Sequence, residues 1–183
     1  MGRVFAILSL FGTVSTTDAN GDGVADSVKV TGVEYPPVDK CDVETQVMHR
    51  LYNRISQEHL YTADTHERDV LSKGDWTYEG VAWISPAESN TPVYRLYNPI
   101  LGNHHYTTDK HEVDALTAEY NWNYEGIGWY VDDCKRVPVW RQFTPLLRVG
   151  SHHYTADKHE YDTWVATGVW NGEGIGWYVI SWK

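Results

Sequence analysis

The chain has 183 residues, of which 42% are hydrophobic, and its 25 acidic side chains outnumber 15 Lys and Arg to leave a net charge of −10. That length suits one domain, or one domain with a small appendage, and can bury a sizeable core; an acidic surface without a Lys/Arg cluster repels phosphate backbones and excludes nucleic acid as the expected partner. Aromatic usage is the unusual feature, Trp 9 and Tyr 13 against Phe 3, so nearly every large ring carries a polar atom and suits a surface that is both sticky and wet.

The longest strongly apolar stretch, Val4 to Phe11, is broken by Ser9 and falls far short of the roughly 20 residues of a membrane helix. No transmembrane span is expected. Residues 1–19 read either as a short secretory signal, with Arg3 as its charged region and Val4 to Val14 as its apolar core, or as an ordinary β-strand. Asp18, Asn20, Asp22 and Asp26 then space oxygen ligands at positions 1, 3, 5 and 9 of a calcium loop, with Gly23 at the sharp turn and the Val24 carbonyl as a further ligand. Lys29 stands where a bidentate Glu is usual, so calcium is the expected cofactor at low affinity. This stretch resembles the calcium loops of hairpin repeats in secreted proteins; the alternative is an Asx-rich solvated turn. Residues 1–45 are therefore expected to form an N-terminal hairpin or appendage.

Cys41 and Cys134 are the only thiols, each in a polar, charged stretch unlike a core cysteine's surroundings. In an oxidising compartment they would pair, closing a long loop; two free exposed thiols are the other reading.

From residue 46 onward the chain says one sentence three times, over 46–91, 92–137 and 138–183. Arg50, Arg95 and Arg141 mark the starts, about 45 residues apart. Every copy keeps a His (His59, His104, His152), a Tyr-Thr pair (Tyr61, Tyr106 and Tyr154 lead it), an Asp (Asp64, Asp109, Asp157), a His-Glu pair (His66-Glu67, His111-Glu112, His159-Glu160) and a Trp (Trp76, Trp122, Trp170). Each closes on Glu-Gly-x-x-Trp: Glu79 to Trp83, Glu125 to Trp129, Glu173 to Trp177.

These letters resemble a repeat family of secreted and surface proteins of bacteria and some fungi, whose pattern runs Y-R-L-Y-N-P, H-x-Y-T-T, E-x-x-x-L, W-x-Y-E-G-I-G-W-Y. The resemblance covers about three quarters of the chain. It implies an add-on binding module, extracellular or at the cell surface, with no assigned activity. The third copy departs from the pattern: Gln142, Phe143 and Thr144 replace Leu-Tyr-Asn, Gly172 replaces the Tyr before Glu, and the connection before His152 is two residues longer.

Within a copy, the head alternates like a strand, an Asn98-Pro99 or Thr144-Pro145 turn follows, and Asp64 to Glu67 with its counterparts fits a capping box that starts a short helix. The helix ends near Gly74 or Gly168. The closing segment reads as an aromatic strand whose glycines allow close approach of a chain or ring. One copy cannot bury its own apolar face, so the three must pack on one another. The expected fold is α+β and strand-rich, three pseudo-threefold repeats each with short strands and one short helix; a β-trefoil has the right period but no helices.

Three readings compete for the repeated polar residues. The Arg and the Glu of Glu-Gly form one buried ion pair in each copy, Arg50 with Glu79, Arg95 with Glu125 and Arg141 with Glu173. Alternatively His59, Tyr61, Glu79 and Trp83, with His104, Tyr106, Glu125 and Trp129 and with His152, Tyr154, Glu173 and Trp177, build one shallow sugar pocket per repeat: a flat ring to stack on, and carboxylate and imidazole for hydroxyls. Thirdly, His59, His104 and His152 meet at the centre as a zinc site of a metal-dependent hydrolase. A glycosidase needs two carboxyls in unlike settings, which triplication makes alike, and three equal weak sites gain avidity on a polymer. The expected function is thus a non-catalytic extracellular module for a polysaccharide or cell-wall glycan, with the hydrolase and a purely structural spacer as alternatives.

Overall fold

The structure, a computed structural model, describes residues 13–17, 27–31, 41–147 and 151–182. The chain divides into two units, Met1–Asp39 and Lys40–Lys183. In the first, β1 (Thr13–Thr17) and β2 (Ser27–Thr31) form an antiparallel hairpin, Thr13 opposite Thr31 and Thr17 opposite Ser27. The residues expected to hold calcium, Asp18, Asn20, Asp22, Val24 and Asp26, lie outside the described residues.

The second unit repeats one plan. β3 (Thr45–Asn53), β4 (Glu58–Thr62), α1 (Thr65–Leu71) and β5 (Trp76–Pro86) make the first copy. β6 (Pro92–Asn98), β7 (Asn103–Thr107), α2 (Lys110–Glu119) and β8 (Asn123–Tyr130) make the second. The third is β9 (Val137–Phe143), β10 (His152–Thr155), α3 (Lys158–Ala166) and β11 (Asn171–Val179). Each copy is a three-stranded antiparallel sheet with the head strand in the middle, in the orders β4-β3-β5, β7-β6-β8 and β10-β9-β11. The architecture is strand-rich with one helix per copy, as expected, and compatible with a pseudo-threefold relation. The second strand of each sheet, over the His-x-Tyr-Thr letters, was not legible beforehand. Among the described residues no helix is long and apolar enough to cross a membrane.

The alternation of the head strand sends Met48, Val93 and Val139 into the core, and Leu51 and Leu96 are also fully buried. Gln142 takes the position of those leucines, and its amide has no hydrogen-bond partner among the described residues. The shared core is aromatic: Trp83, Trp129 and Trp177 are 1%, 1% and 3% exposed, and Tyr61, Tyr106 and Tyr154 no more than 1%. The three indoles meet edge to face at 5.4 to 6.0 Å, each packed on the tyrosine of its own copy. Burying each such ring contributes roughly 1.5–3 kcal/mol. No copy could do this alone, because every ring is covered by rings from the other two.

The tyrosine hydroxyls also solve an edge problem. β4, β7 and β10 are outer strands with outward-facing N–H and C=O groups. Tyr61 Oη donates to the Tyr154 carbonyl at 2.5 Å and accepts its N–H at 3.3 Å. Tyr106 does the same for Tyr61, at 3.3 and 3.1 Å, and Tyr154 for Tyr106, at 3.0 and 3.4 Å. A closed cycle of three hydroxyls thus satisfies three buried strand edges.

Cys41 and Cys134 form a disulfide with their Cα atoms 5.9 Å apart, a cross-link consistent with an extracellular protein. Beside it the buried Asp132 carboxylate accepts the N–H groups of Cys134 and Arg136 and the Arg136 guanidinium, which also reaches the Cys41 carbonyl at 2.6 Å.

The glycine that follows each closing Glu does not serve close approach, whereas a Cβ on Gly128 or Gly176 would touch the Arg95 or Arg141 side chain at 3.6 Å. Gly80, Gly126 and Gly174 adopt φ of 106°, 108° and 87° with open space where a Cβ would stand. Each follows a Glu that is the extra residue of a β-bulge opposite the repeat's Arg, a kink that the positive φ permits. In the third copy, the missing Tyr before Glu is compensated: a Cβ on Gly172 would lie 2.2 Å from the Tyr161 hydroxyl, and Tyr161 of α3 fills that space against Trp140.

Candidate functional site

Each helix starts on the expected Asp. Asp64 accepts the N–H of His66 at 2.7 Å and of Glu67 at 3.3 Å; Asp157 likewise accepts from His159 and Glu160, and Asp109 accepts from His111 at 2.8 Å. The capping box, however, does not close. The N–H that its Glu would take back is donated instead to the preceding Thr, from Asp64 to Thr62, Asp109 to Thr107 and Asp157 to Thr155, each at 3.0 Å. The Glu is released, and it crosses to the next copy.

There it meets the Arg. Arg95 donates Nη1 and Nη2 to both oxygens of Glu67 at 2.8 and 2.7 Å while its Nε holds Glu125 at 2.7 Å. Arg50 binds Glu79 at 2.8 Å and Glu160 at 3.1 Å. Arg141 binds Glu173 at 2.8 Å with Glu112 at 3.7 Å. The expected pairs inside each copy are therefore present, and each carries a second carboxylate from the neighbouring copy. The groups are half-buried rather than sealed.

These triads open to solvent. One cleft of about 320 Å³ is lined by Arg50, Glu79, Asp157 and Glu160 with Val81 and Ala82. A second of about 470 Å³ is lined by the equivalent Arg95, Glu125, Asp64 and Glu67 with Ile127 and Gly128. Of the residues proposed from sequence, the glutamates stand in this chemistry, and His59, His104 and His152 lie behind it: their Nε2 atoms are 3.5, 3.5 and 3.9 Å from Glu79, Glu125 and Glu173. Tyr61, Tyr106, Tyr154, Trp83, Trp129 and Trp177 are core, and rings so completely covered have no face to offer a sugar. The histidines do not converge either. His59 packs on His153 at 4.6 Å, His152 on His105 at 4.5 Å, and His104 bonds Glu58 through Nδ1 at 2.6 Å, because the centre where a zinc ion would sit is filled by the tyrosines and indoles. Among the described residues no group of three His, Cys, Asp or Glu is placed to hold a metal.

The repeat block coincides with a known sequence family. Residues 47–180 match the model of a domain of unknown function, DUF5648. The chain belongs to this family. No curated protein and no solved structure matches it.

The electrostatics of this DUF5648 domain follow from its half-buried pairs. The imidazole of His59 and the Arg50 charge hold Glu79 below the usual carboxylate range against the effect of burial. His105, 3.0 Å away, holds Glu112 down to about 2. Burial would raise Glu67 and Glu160, but Arg95 and Thr62 around the first, and His153, Thr155 and Arg50 around the second, outweigh it and keep both low. Burial pushes His152 down to about 3 and His153 down to about 4, so both rings stay neutral in the folded protein.

Stability should therefore fall as the medium is acidified. Below pH 6.5 the unfolded chain protonates these two histidines while the folded one does not, which removes on the order of 1.4 kcal/mol per pH unit for each ring until the folded values near 4 and 3 are reached. Below pH 4.5 the depressed glutamates add to the loss. Urea unfolding midpoints measured from pH 7 to pH 4 are expected to drop throughout, and a flat profile would refute buried neutral imidazoles.

Proposed function

We propose that this DUF5648 domain is a non-catalytic extracellular module that binds a glycan through the charged clefts between its repeats, the three repeats forming a pseudo-threefold ring. The observation that carries this reading is the recurrence of one open set of side chains at two junctions: an Arg, two Glu and a capping Asp beside a small residue and an exposed branched aliphatic.

The chemistry suits hydroxyls. Carboxylates accept from neighbouring hydroxyl groups and a guanidinium donates to them. Ala82 and Gly128 leave room, and Val81 and Ile127 offer apolar contact for C–H groups. Because each Arg holds its carboxylates in place beforehand, little ordering is lost on binding. Equivalent sites on one rigid body multiply retention on a polymer. The depressed glutamates support binding over hydrolysis, since glycosidic cleavage calls for a carboxyl that is still protonated at working pH.

The test is retention on insoluble chitin, cellulose, peptidoglycan and β-1,3-glucan, comparing the wild type with a Val81→Arg/Ile127→Arg variant. Both residues are exposed, so the long side chains fill the clefts without disturbing the core. The wild type is expected to be retained by at least one polymer and the variant at least about tenfold less. A domain retained by none acts as the spacer, and a variant that binds equally well removes the clefts from the mechanism.

A further inference from the structure

The third repeat's departures from the other two come together at one place. α3 carries Trp164 where α1 and α2 carry Leu71 and Leu116, and its indole is 42% exposed. The segment from Arg141 to His152 is two residues longer than its counterparts and carries Leu146, 72% exposed, which lines the same spot. Together with Trp170, His59, His153 and Gln57 they line a pocket of about 250 Å³. Trp170 stands nearly perpendicular to Trp164, at 78° and 5.6 Å. His153 closes on both indoles at 6.3 Å, and His59 packs on His153. The second repeat keeps the imidazole as His105, on Trp122 and His152, but has Leu116 for Trp164, and the first has Leu60 for His153 and Leu71 for Trp164, so the full combination occurs once.

Trp164 packs on Trp170 and His153 yet keeps 42% of its surface open, and it lines the pocket together with the exposed Leu146, whereas α1 and α2 do with a leucine at this position. From this geometry we infer that the pocket is a single-copy subsite for one pyranose ring. The C–H face of the sugar lies on the Trp164 indole, Leu146 covers its far side, and the exposed Gln57 amide and the imidazole edges meet its hydroxyls. The volume admits one ring, so the pocket takes a chain end or a side branch while the charged clefts track the remainder of the polymer. His59 belongs to the pocket and lies 3.5 Å from Glu79 of the charged cleft, which makes the two parts contiguous. This inference rests on the glycan reading above and adds to it where a ring is recognised.

Two variants test it on the same four polysaccharides. Trp164→Leu gives α3 the residue that α1 and α2 already carry, so it is expected to fold, as checked by its thermal midpoint; Leu146→Asp alters the pocket from the opposite wall at an exposed position. Both are expected to weaken retention at least about tenfold, and titration with solubilised fragments of the retained polymer is expected to shift indole N–H resonances in the wild type and not in Trp164→Leu. Retention by the wild type with both variants unchanged overturns the subsite and leaves the glycan reading standing. No retention of the wild type by any of the four overturns both.

Discussion

Replacing Tyr106 with Phe is expected to cost the domain about 2–5 kcal/mol of unfolding free energy, although the ring and its contact with Trp129 remain. The hydroxyl carries that cost alone. It is the partner of both the N–H and the C=O of Tyr61, which sit on an outer strand at a residue 1% exposed, so its removal strands one donor and one acceptor away from water. Burial also pushes all three tyrosines above their ordinary value, so the hydroxyls stay protonated and keep donating at any pH the protein survives. Urea unfolding at pH 7 measures the effect, with an unchanged denaturant slope showing that the native state is otherwise intact. Because the hydroxyls form a cycle, Tyr61→Phe combined with Tyr106→Phe is expected to depart from additivity. A loss below about 0.5 kcal/mol for the single change would mean that the edges are satisfied by something other than the tyrosine cycle.

The second large effect is expected from the disulfide. Cys41 and Cys134 are 93 residues apart, and releasing a loop of that length returns conformational entropy to the unfolded chain that corresponds to about 2–5 kcal/mol. A Cys41→Ser/Cys134→Ser variant, or the wild type in reductant, should still fold, because Asp132 and Arg136 continue to tie the same corner together. Its midpoint in urea should fall accordingly, and an unaltered midpoint would show that the unfolded chain is already constrained there.

Much of the local structure was legible in the residues. The Asp that starts each helix announces itself because N-capping is satisfied within a few positions of the chain. The Arg-Glu pairs of each copy were legible from recurrence and from the cost of leaving either charge half-buried and alone, and the two cysteines from their polar surroundings and number.

What the chain did not disclose follows one physical rule. Glu67 was assigned to its own helix because the capping box is a local pattern, but Thr62 satisfies the same N–H with less reach, and Arg95 offers a charge that no backbone amide can match. The invariance of both Thr and Glu was the available signal, and it does not say which partner wins. The flat rings of Tyr61 and Trp83 suit a stacked sugar and suit equally a core where a hydroxyl satisfies a strand edge, and residue type alone does not choose between the two. The sequence by itself determined the triplication and the helix starts and put the paired charges and the cross-link among its readings, all of which rest on contacts within a copy or on the count of a rare residue. Only the tertiary structure decided which rings are sealed and which carboxylate crosses a junction, because those contacts join positions a whole repeat apart, and no spacing along the chain encodes the angle at which one copy meets the next.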